Sequence, residues 1–194
     1  MNDIDPKTIE LAQAGDAAAS RAIIERLHRP VIATIYRFLG PRFRHETEDI
    51  AQDVFLKLFR AIERFDPSRG VKFTTWAYTF VRNHCFDILK RRRIQTTSLN
   101  GGRDDERPID LPDPAAKPPQ QIAETSELGE KIEEALAGLG NDQRMAFVLR
   151  EYEGLDYASI AEVMGVSEGT VKSRLHRAKE ALRSRLQPYL RSRA

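Results

Sequence analysis

One cysteine, Cys85, stands in 194 residues. A single thiol excludes a disulfide framework and any multi-cysteine zinc site, and it fits a reducing cytosol. The four histidines, His28, His45, His84 and His176, are scattered and complete no metal-ligand spacing, so no metal and no cofactor is expected. No run of about eighteen apolar residues occurs, and no signal-peptide pattern, so neither membrane insertion nor export is indicated and the protein is expected to be cytoplasmic. Strand-like alternation is nearly absent, and no internal repeat is found. Clustered carboxylates for metal-assisted phosphoryl transfer and an activated Ser or Tyr constellation are also missing. A DNA-acting enzyme such as a recombinase is therefore disfavoured, and a non-enzyme is expected.

What is present is helical periodicity and polarised charge. With 41% hydrophobic residues, the chain can bury one large core or two small ones. Two is the expectation, because residues 96–124 break the pattern. They hold five of the ten prolines, the Gly101-Gly102 pair, and six acids against three bases. Such a stretch buries too little apolar surface to offset its ordering and reads as an extended linker. The expected fold is all-α, with two small helical domains: residues 1–95, an acidic Pro-rich linker at 96–125, and residues 126–194. Net charge is only +2, yet residues 171–194 carry eight Lys or Arg against one Glu, which points to a polyanionic partner.

The most informative stretch is 154–182, GLDYASIAEVMGVSEGTVKSRLHRAKEAL. Asp156 can cap a helix beginning at Tyr157, in which Ile160, Ala161 and Met164 recur at helical spacing. Gly165 suits a sharp stop, Val166 can plug the corner, and Ser167 can cap a second helix. There Val171, Leu175, Ala178 and Leu182 form one apolar stripe. Ser173, His176, Arg177 and Glu180 lie opposite, flanked by Lys172 and Arg174. This reads as a helix-turn-helix whose second helix fits the major groove, its first turns reaching base edges and its basic flanks the phosphates. A lone basic helix would also fit a solvated face; the capped pair with Ala161 at the close approach favours DNA.

From the start of the chain, a short helix near 7–14 stops at Gly15, and Asp16 can cap a longer one toward Leu39 with Pro30 as a kink. Its Ile23, Ile24, Leu27, Val31, Ile35 and Phe38 read as core. In residues 46–64, Ile50, Val54, Leu58 and Ala61 share one stripe, with Asp49, Gln52, Asp53, Leu56 and Arg60 opposite. A solvated face accounts for the polar residues, but Leu56 and Phe59 sit awkwardly on it. Apolar residues ringed by carboxylates and an amide also suit a docking surface for a basic or mixed helix. After a turn cluster at 66–70 come residues 73–93, FTTWAYTFVRNHCFDILKRRR. Phe73, Ala77, Phe80, His84 and Ile88 read as the core side, and Trp76, Thr79, Asn83, Phe86 and Lys90 form a separate stripe. Aromatics among polar and cationic groups suit single-stranded DNA, whose unstacked bases need π-faces. Core packing of Trp76 and Phe86, with an Arg run complementing the helix dipole, explains the same residues. Cys85, beside Tyr78 and Leu89, reads as a small buried hydrophobe. After the linker, Leu128, Ile132, Ala135 and Leu136 mark one helix, residues 138–141 a turn, and Met145, Val148, Leu149 and Tyr152 another, giving a four-helix module with the helix-turn-helix.

Three segments in this order and spacing, 49–65 (DIAQDVFLKLFRAIERF), 73–93 and 154–182, closely resemble an RNA polymerase sigma factor of the extracytoplasmic-function (group IV) family. The resemblance covers nearly the whole chain except the linker. It implies that Asp49, Gln52, Asp53 and Leu56 dock on the coiled coil of the polymerase β′ subunit, with β as a further contact. It implies that Asn83 lines a pocket for a base extruded from the single-stranded −10 element, capped by residues 66–72. Arg69, Lys72, Trp76, Thr79 and Lys90 complete that −10 surface. The second helix of the helix-turn-helix matches the reader of the duplex −35 element, with Thr170, Lys172, Ser173, Arg174, His176 and Arg177 as contacts. The acidic linker is expected to thread the polymerase where nascent RNA runs. Little sequence follows the recognition helix, so control is expected from outside, for instance from an anti-sigma protein. The implied function is to direct core polymerase to −35/−10 promoters and stabilise the melted −10 strand. A free-standing dimeric regulator would use the same helix-turn-helix but leaves Trp76, Asn83 and Leu56 unexplained.

Overall fold

The computed structural model of the chain describes residues 3–99 and 127–191, so most of the stretch expected as a linker lies outside the described residues. Among the described residues every regular element is helical: α1 (Pro6–Gln13), α2 (Ala17–Leu39), α3 (Thr47–Arg60), α4 (Phe73–Leu99), α5 (Glu127–Ala137), α6 (Asn141–Glu151), α7 (Tyr157–Met164) and α8 (Glu168–Arg191), with short 3-10 turns at Pro41–Phe43, Ile62–Arg64 and Pro67–Arg69. The all-α expectation holds.

Local chemistry places the boundaries. Asp16 Oδ1 accepts the Ala19 amide at 2.7 Å and starts α2. That helix continues across Pro30 and stops at Gly40, whose φ of +88° suits only glycine. The helix expected over 73–93 runs on to Leu99, because nothing in the Arg run or the residues after it breaks the backbone pattern.

The first four helices surround a core of Ile23, Leu27, Val31, Ile35 and Phe38 from α2, Ile50, Val54 and Leu58 from α3, and Phe73, Ala77 and Val81 from α4, all buried. Each fully buried Leu, Ile or Phe contributes about 1.5–3 kcal/mol. In the last four, Met145 and Leu149 of α6 meet Ile160 and Val163 of α7 and Val171 and Leu175 of α8. Ala135, Leu136 and Leu139 close on Ala178 and Leu182.

The two halves pack against each other: α7 lies on α4, and α5 and α6 lie on α2. Their apolar residues form one continuous cluster. For that reason α4 is buried on more than the single stripe its periodicity suggests, with Tyr78, Val81 and Cys85 as enclosed as Phe73 and Ala77. Arg144 locks the seam. Its Nη1 donates to the Phe38 carbonyl at 2.7 Å and its Nη2 to those of Ala137 and Leu139, so one guanidinium serves the C-terminal ends of α2 and α5, where the helix dipoles favour a cation. Burial, with Arg42 and Arg185 nearby, pushes Arg144 down to about 10, which leaves it charged at neutral pH.

Candidate nucleic-acid and partner interfaces

The turn ahead of α4 is built by Asp66, whose Oδ1 accepts the Ser68 amide at 2.9 Å, and by Gly70 at φ +71°. Those Ser68 bonds hold the Asp66 carboxyl below the usual carboxylate range. Arg69 and Lys72 project from this turn and are exposed. The residue just before it, Phe65, is buried against α4, its ring 5.0 Å from Phe73 and 5.3 Å from Trp76. Trp76 in turn meets Phe80 edge-on at 4.8 Å. Trp76 is thus half-buried, one part of its ring system in an aromatic cluster and the rest at the surface. One and two turns further along α4, Thr79 is half-buried and Asn83 exposed, and Lys90 is exposed beyond them. Phe86 departs from this face: it stacks on the fully buried Phe38 at 5.2 Å, and Arg82 lies over its other side at 4.5 Å.

On α3, Asp49, Gln52, Asp53 and Leu56 are all exposed, and Leu56 is the most exposed large apolar residue of that helix, at 57%. Ile50, Ala51, Val54, Phe55 and Leu58 occupy the opposite side in the core, and Phe59 packs partly against it. Leu56 is therefore the one large apolar residue of α3 that does not pack on the core. Behind this face sits His84 of α4, 7% exposed, whose Nδ1 lies 2.5 Å from Lys57 Nζ and whose Nε2 lies 3.6 Å from Asp53 Oδ2. Burial first, then the Lys57 charge, lowers the His84 pKa. The imidazole is therefore neutral, with Nδ1 accepting from the ammonium.

The helix-turn-helix forms as its caps dictate. Asp156 Oδ1 accepts the Ser159 amide at 2.7 Å, and the Val166 amide donates back to the Ala161 carbonyl across Gly165, which is left-handed at φ +64°. Ser167 Oγ accepts the Thr170 amide at 3.2 Å to open α8. Val171, Leu175, Ala178 and Leu182 are buried, and Lys172, Ser173, His176 and Arg177 are exposed together. Thr170 is half-buried at their edge. Arg174 stands apart: it pairs with Asp142 of α6 at 2.8 Å, so its guanidinium is turned toward the module rather than outward. Lys172 Nζ sits 5.6 Å over the Tyr157 ring.

Three residues at these surfaces escaped the reading of the sequence: Arg82, His84 in its bridging role, and Glu153 at the seam. Only Arg82 leaves a local signal, its spacing four residues before Phe86. Among the described residues no group of three or more His, Cys, Asp or Glu converges to hold a metal ion, and no helix is long and apolar enough to cross a membrane.

Known proteins are similar to both halves of this chain. Residues 23–94 match Sigma-70 region 2 and residues 129–182 match Sigma-70, region 4. The chain is 32% identical over 190 residues to the RNA polymerase sigma-H factor of Pseudomonas aeruginosa, covering 96% of each. It is 30% identical over 189 residues to the ECF RNA polymerase sigma-E factor of Haemophilus influenzae, covering 96% of this chain and 97% of that one. In fold it is similar to the sigma factor RpoE in its co-crystal structure with the anti-sigma factor NepR from Bartonella quintana, with a TM-score of 0.67, 23% identity, and coverage of 86% of this chain and 96% of that one. The chain therefore belongs to the extracytoplasmic-function branch of the sigma-70 family, the sigma factors that direct RNA polymerase in transcription initiation.

Proposed function

We propose that this chain is a non-enzymatic specificity subunit that brings core RNA polymerase to −35/−10 promoters and holds the melted −10 strand. Residues 1–95 act in docking and −10 binding, residues 96–125 as a tether, and residues 126–194 in −35 binding. Asp49, Gln52, Asp53 and Leu56 engage the β′ coiled coil, with β as a further contact. Arg69, Lys72, Trp76, Thr79, Asn83 and Lys90 receive the unpaired strand. Lys172, Ser173, His176 and Arg177, with Thr170 at their edge, read the duplex, and Arg174 supports them from behind.

The observation that carries this reading is that Leu56, Asn83 and Arg177 all stand open to solvent on three different helices whose apolar stripes are consumed by the core. Leu56, exposed amid carboxylates, offers a partner an apolar anchor whose full burial contributes about 1.5–3 kcal/mol. Extruding a base costs a few kcal/mol, and each base stacked on an aromatic such as Trp76 returns about 1–3 kcal/mol.

Promoter binding also requires the two halves to part. A packed chain of this length has a radius of gyration of about 16 Å, whereas −10 and −35 elements lie roughly 25 base pairs apart, about 85 Å at 3.4 Å per pair. The packed arrangement is therefore not the promoter-bound one. An anti-sigma protein, the class of partner that holds RpoE of Bartonella quintana, is the regulator proposed here.

In vitro transcription with purified core polymerase tests the assignment. Asn83→Ala is expected to lower open-complex formation while sparing polymerase affinity, and Leu56→Arg or Asp53→Arg to lower polymerase affinity without altering base preference. Unchanged transcript levels from a duplex promoter with Asn83→Ala would remove that residue from the site. Unchanged polymerase affinity with both α3 variants would remove the docking face.

A further inference from the structure

We infer that Arg82 is a positioning residue that sets base specificity by orienting the amide of Asn83. Arg82 Nη1 donates to Asn83 Oδ1 at 2.9 Å. The guanidinium is not free to wander, because it lies 4.5 Å over Phe86, which is itself stacked on the buried Phe38. A guanidinium has donors and no acceptor, so the amide atom facing it must be the oxygen. Both Nδ2 hydrogens of the exposed Asn83 then remain for another partner. Without Arg82, an exposed asparagine presents its oxygen or its nitrogen with little preference. With Arg82 seated, it presents donors.

An extruded base is read on its Watson–Crick edge. Two donors from one nitrogen match adjacent acceptors, as N3 and O2 of cytosine, and oppose adjacent donors, as N1–H and N2–H₂ of guanine. Arg82 thereby turns Asn83 from a polar group of either sense into a selector against donor edges. The inference rests on the reading that Asn83 lines the base pocket.

The test uses holoenzyme, this chain with core polymerase, and fluorescent single-stranded −10 oligonucleotides carrying cytosine or guanine at each position in turn. Wild type is expected to favour cytosine about tenfold at one position. Arg82→Ala is expected to cut that ratio about threefold or more there and nowhere else, with duplex −35 affinity unchanged. Arg82→Lys, which still donates to Oδ1, is expected to keep most of it. Retention of the wild-type ratio by Arg82→Ala, an equal loss of affinity for both bases, or a wild-type preference for guanine would overturn the inference. Asn83→Ala separates the two claims: if it abolishes discrimination while Arg82→Ala does not, only the role of Arg82 falls. If Asn83→Ala discriminates as wild type does, the Asn83 reading falls and this inference with it.

Discussion

The hydroxyl of Tyr78, in the second turn of α4, donates to the carboxylate of Glu153, in the turn after α6, at 2.5 Å. Thr34 of α2 donates to the other oxygen of the same carboxylate at 2.8 Å. One anion thus ties two N-terminal helices to the turn that leads into the helix-turn-helix. Burial, reinforced by the Glu153 charge, drives the Tyr78 phenol far above its usual pKa, so it stays a donor at any physiological pH.

Tyr78→Phe keeps the ring and removes the donor, leaving Glu153 with Thr34 alone. The expected loss is about 1.5–3 kcal/mol, the range for a hydrogen bond to a charged group. Chemical denaturation of the free chain measures it. In the Glu153→Gln background, Tyr78→Phe is expected to cost less than in wild type, because the bond it removes there is to a neutral amide oxygen rather than to a carboxylate.

His84 makes stability fall in mild acid. Its folded pKa lies below the ordinary value of 6.5, so between the two values the unfolded chain binds the extra proton. Stability is full above pH 6.5 and is lost as pH drops through that value, levelling off below the folded pKa. His84→Gln is expected to flatten this slope, as thermal melts between pH 7.5 and about 5 would reveal. An unchanged slope would mean that other groups dominate it.

Asp156 caps the first helix of the helix-turn-helix through the Ser159 amide, and those Ser159 bonds lower its pKa. Asp156→Ala is expected to cost about 0.5–2 kcal/mol at neutral pH, whereas Asp156→Asn, an equally good cap, costs little. A depressed carboxylate stabilises above its unfolded pKa of 3.8 and loses that contribution as pH falls through the folded value. The gap between wild type and the alanine variant is therefore expected to close below about pH 4.

Arg174 and Arg177 of α8 are expected to behave differently. Arg177→Ala should cost about 1–3 kcal/mol at one −35 position if its exposed fork meets a base bidentately. Arg174→Ala should instead weaken binding to all −35 variants alike, and Asp142→Ala should reproduce that effect, because the pair sets how α8 sits on α6. Binding of a panel of single-base −35 duplexes distinguishes the patterns. Selective loss in Arg174→Ala would place that residue on a base after all.

Much of this protein was legible from sequence because the deciding interactions are short-range. Asp16, Asp156 and Ser167 cap helices within three residues of themselves, Gly165 ends α7 at its own φ, and the stripe of Val171, Leu175, Ala178 and Leu182 follows from helical periodicity. The exposed Leu56 was likewise readable, since it falls opposite the stripe of Ile50, Val54 and Leu58 that α3 buries. Tertiary packing decided the remainder. Periodicity tells which residues of a helix are apolar but not how many faces will be covered. Only the packing of helix on helix explains why Tyr78 and Cys85 are enclosed, why Arg174 turns inward to Asp142 of α6, and why Phe86 leaves the strand-facing stripe for Phe38 of α2. Tyr78 meets Glu153 across 75 positions of chain, and Arg144 meets Phe38 across 106. Contacts at such separations form only once the whole chain has chosen its packing, so local sequence carries no trace of them.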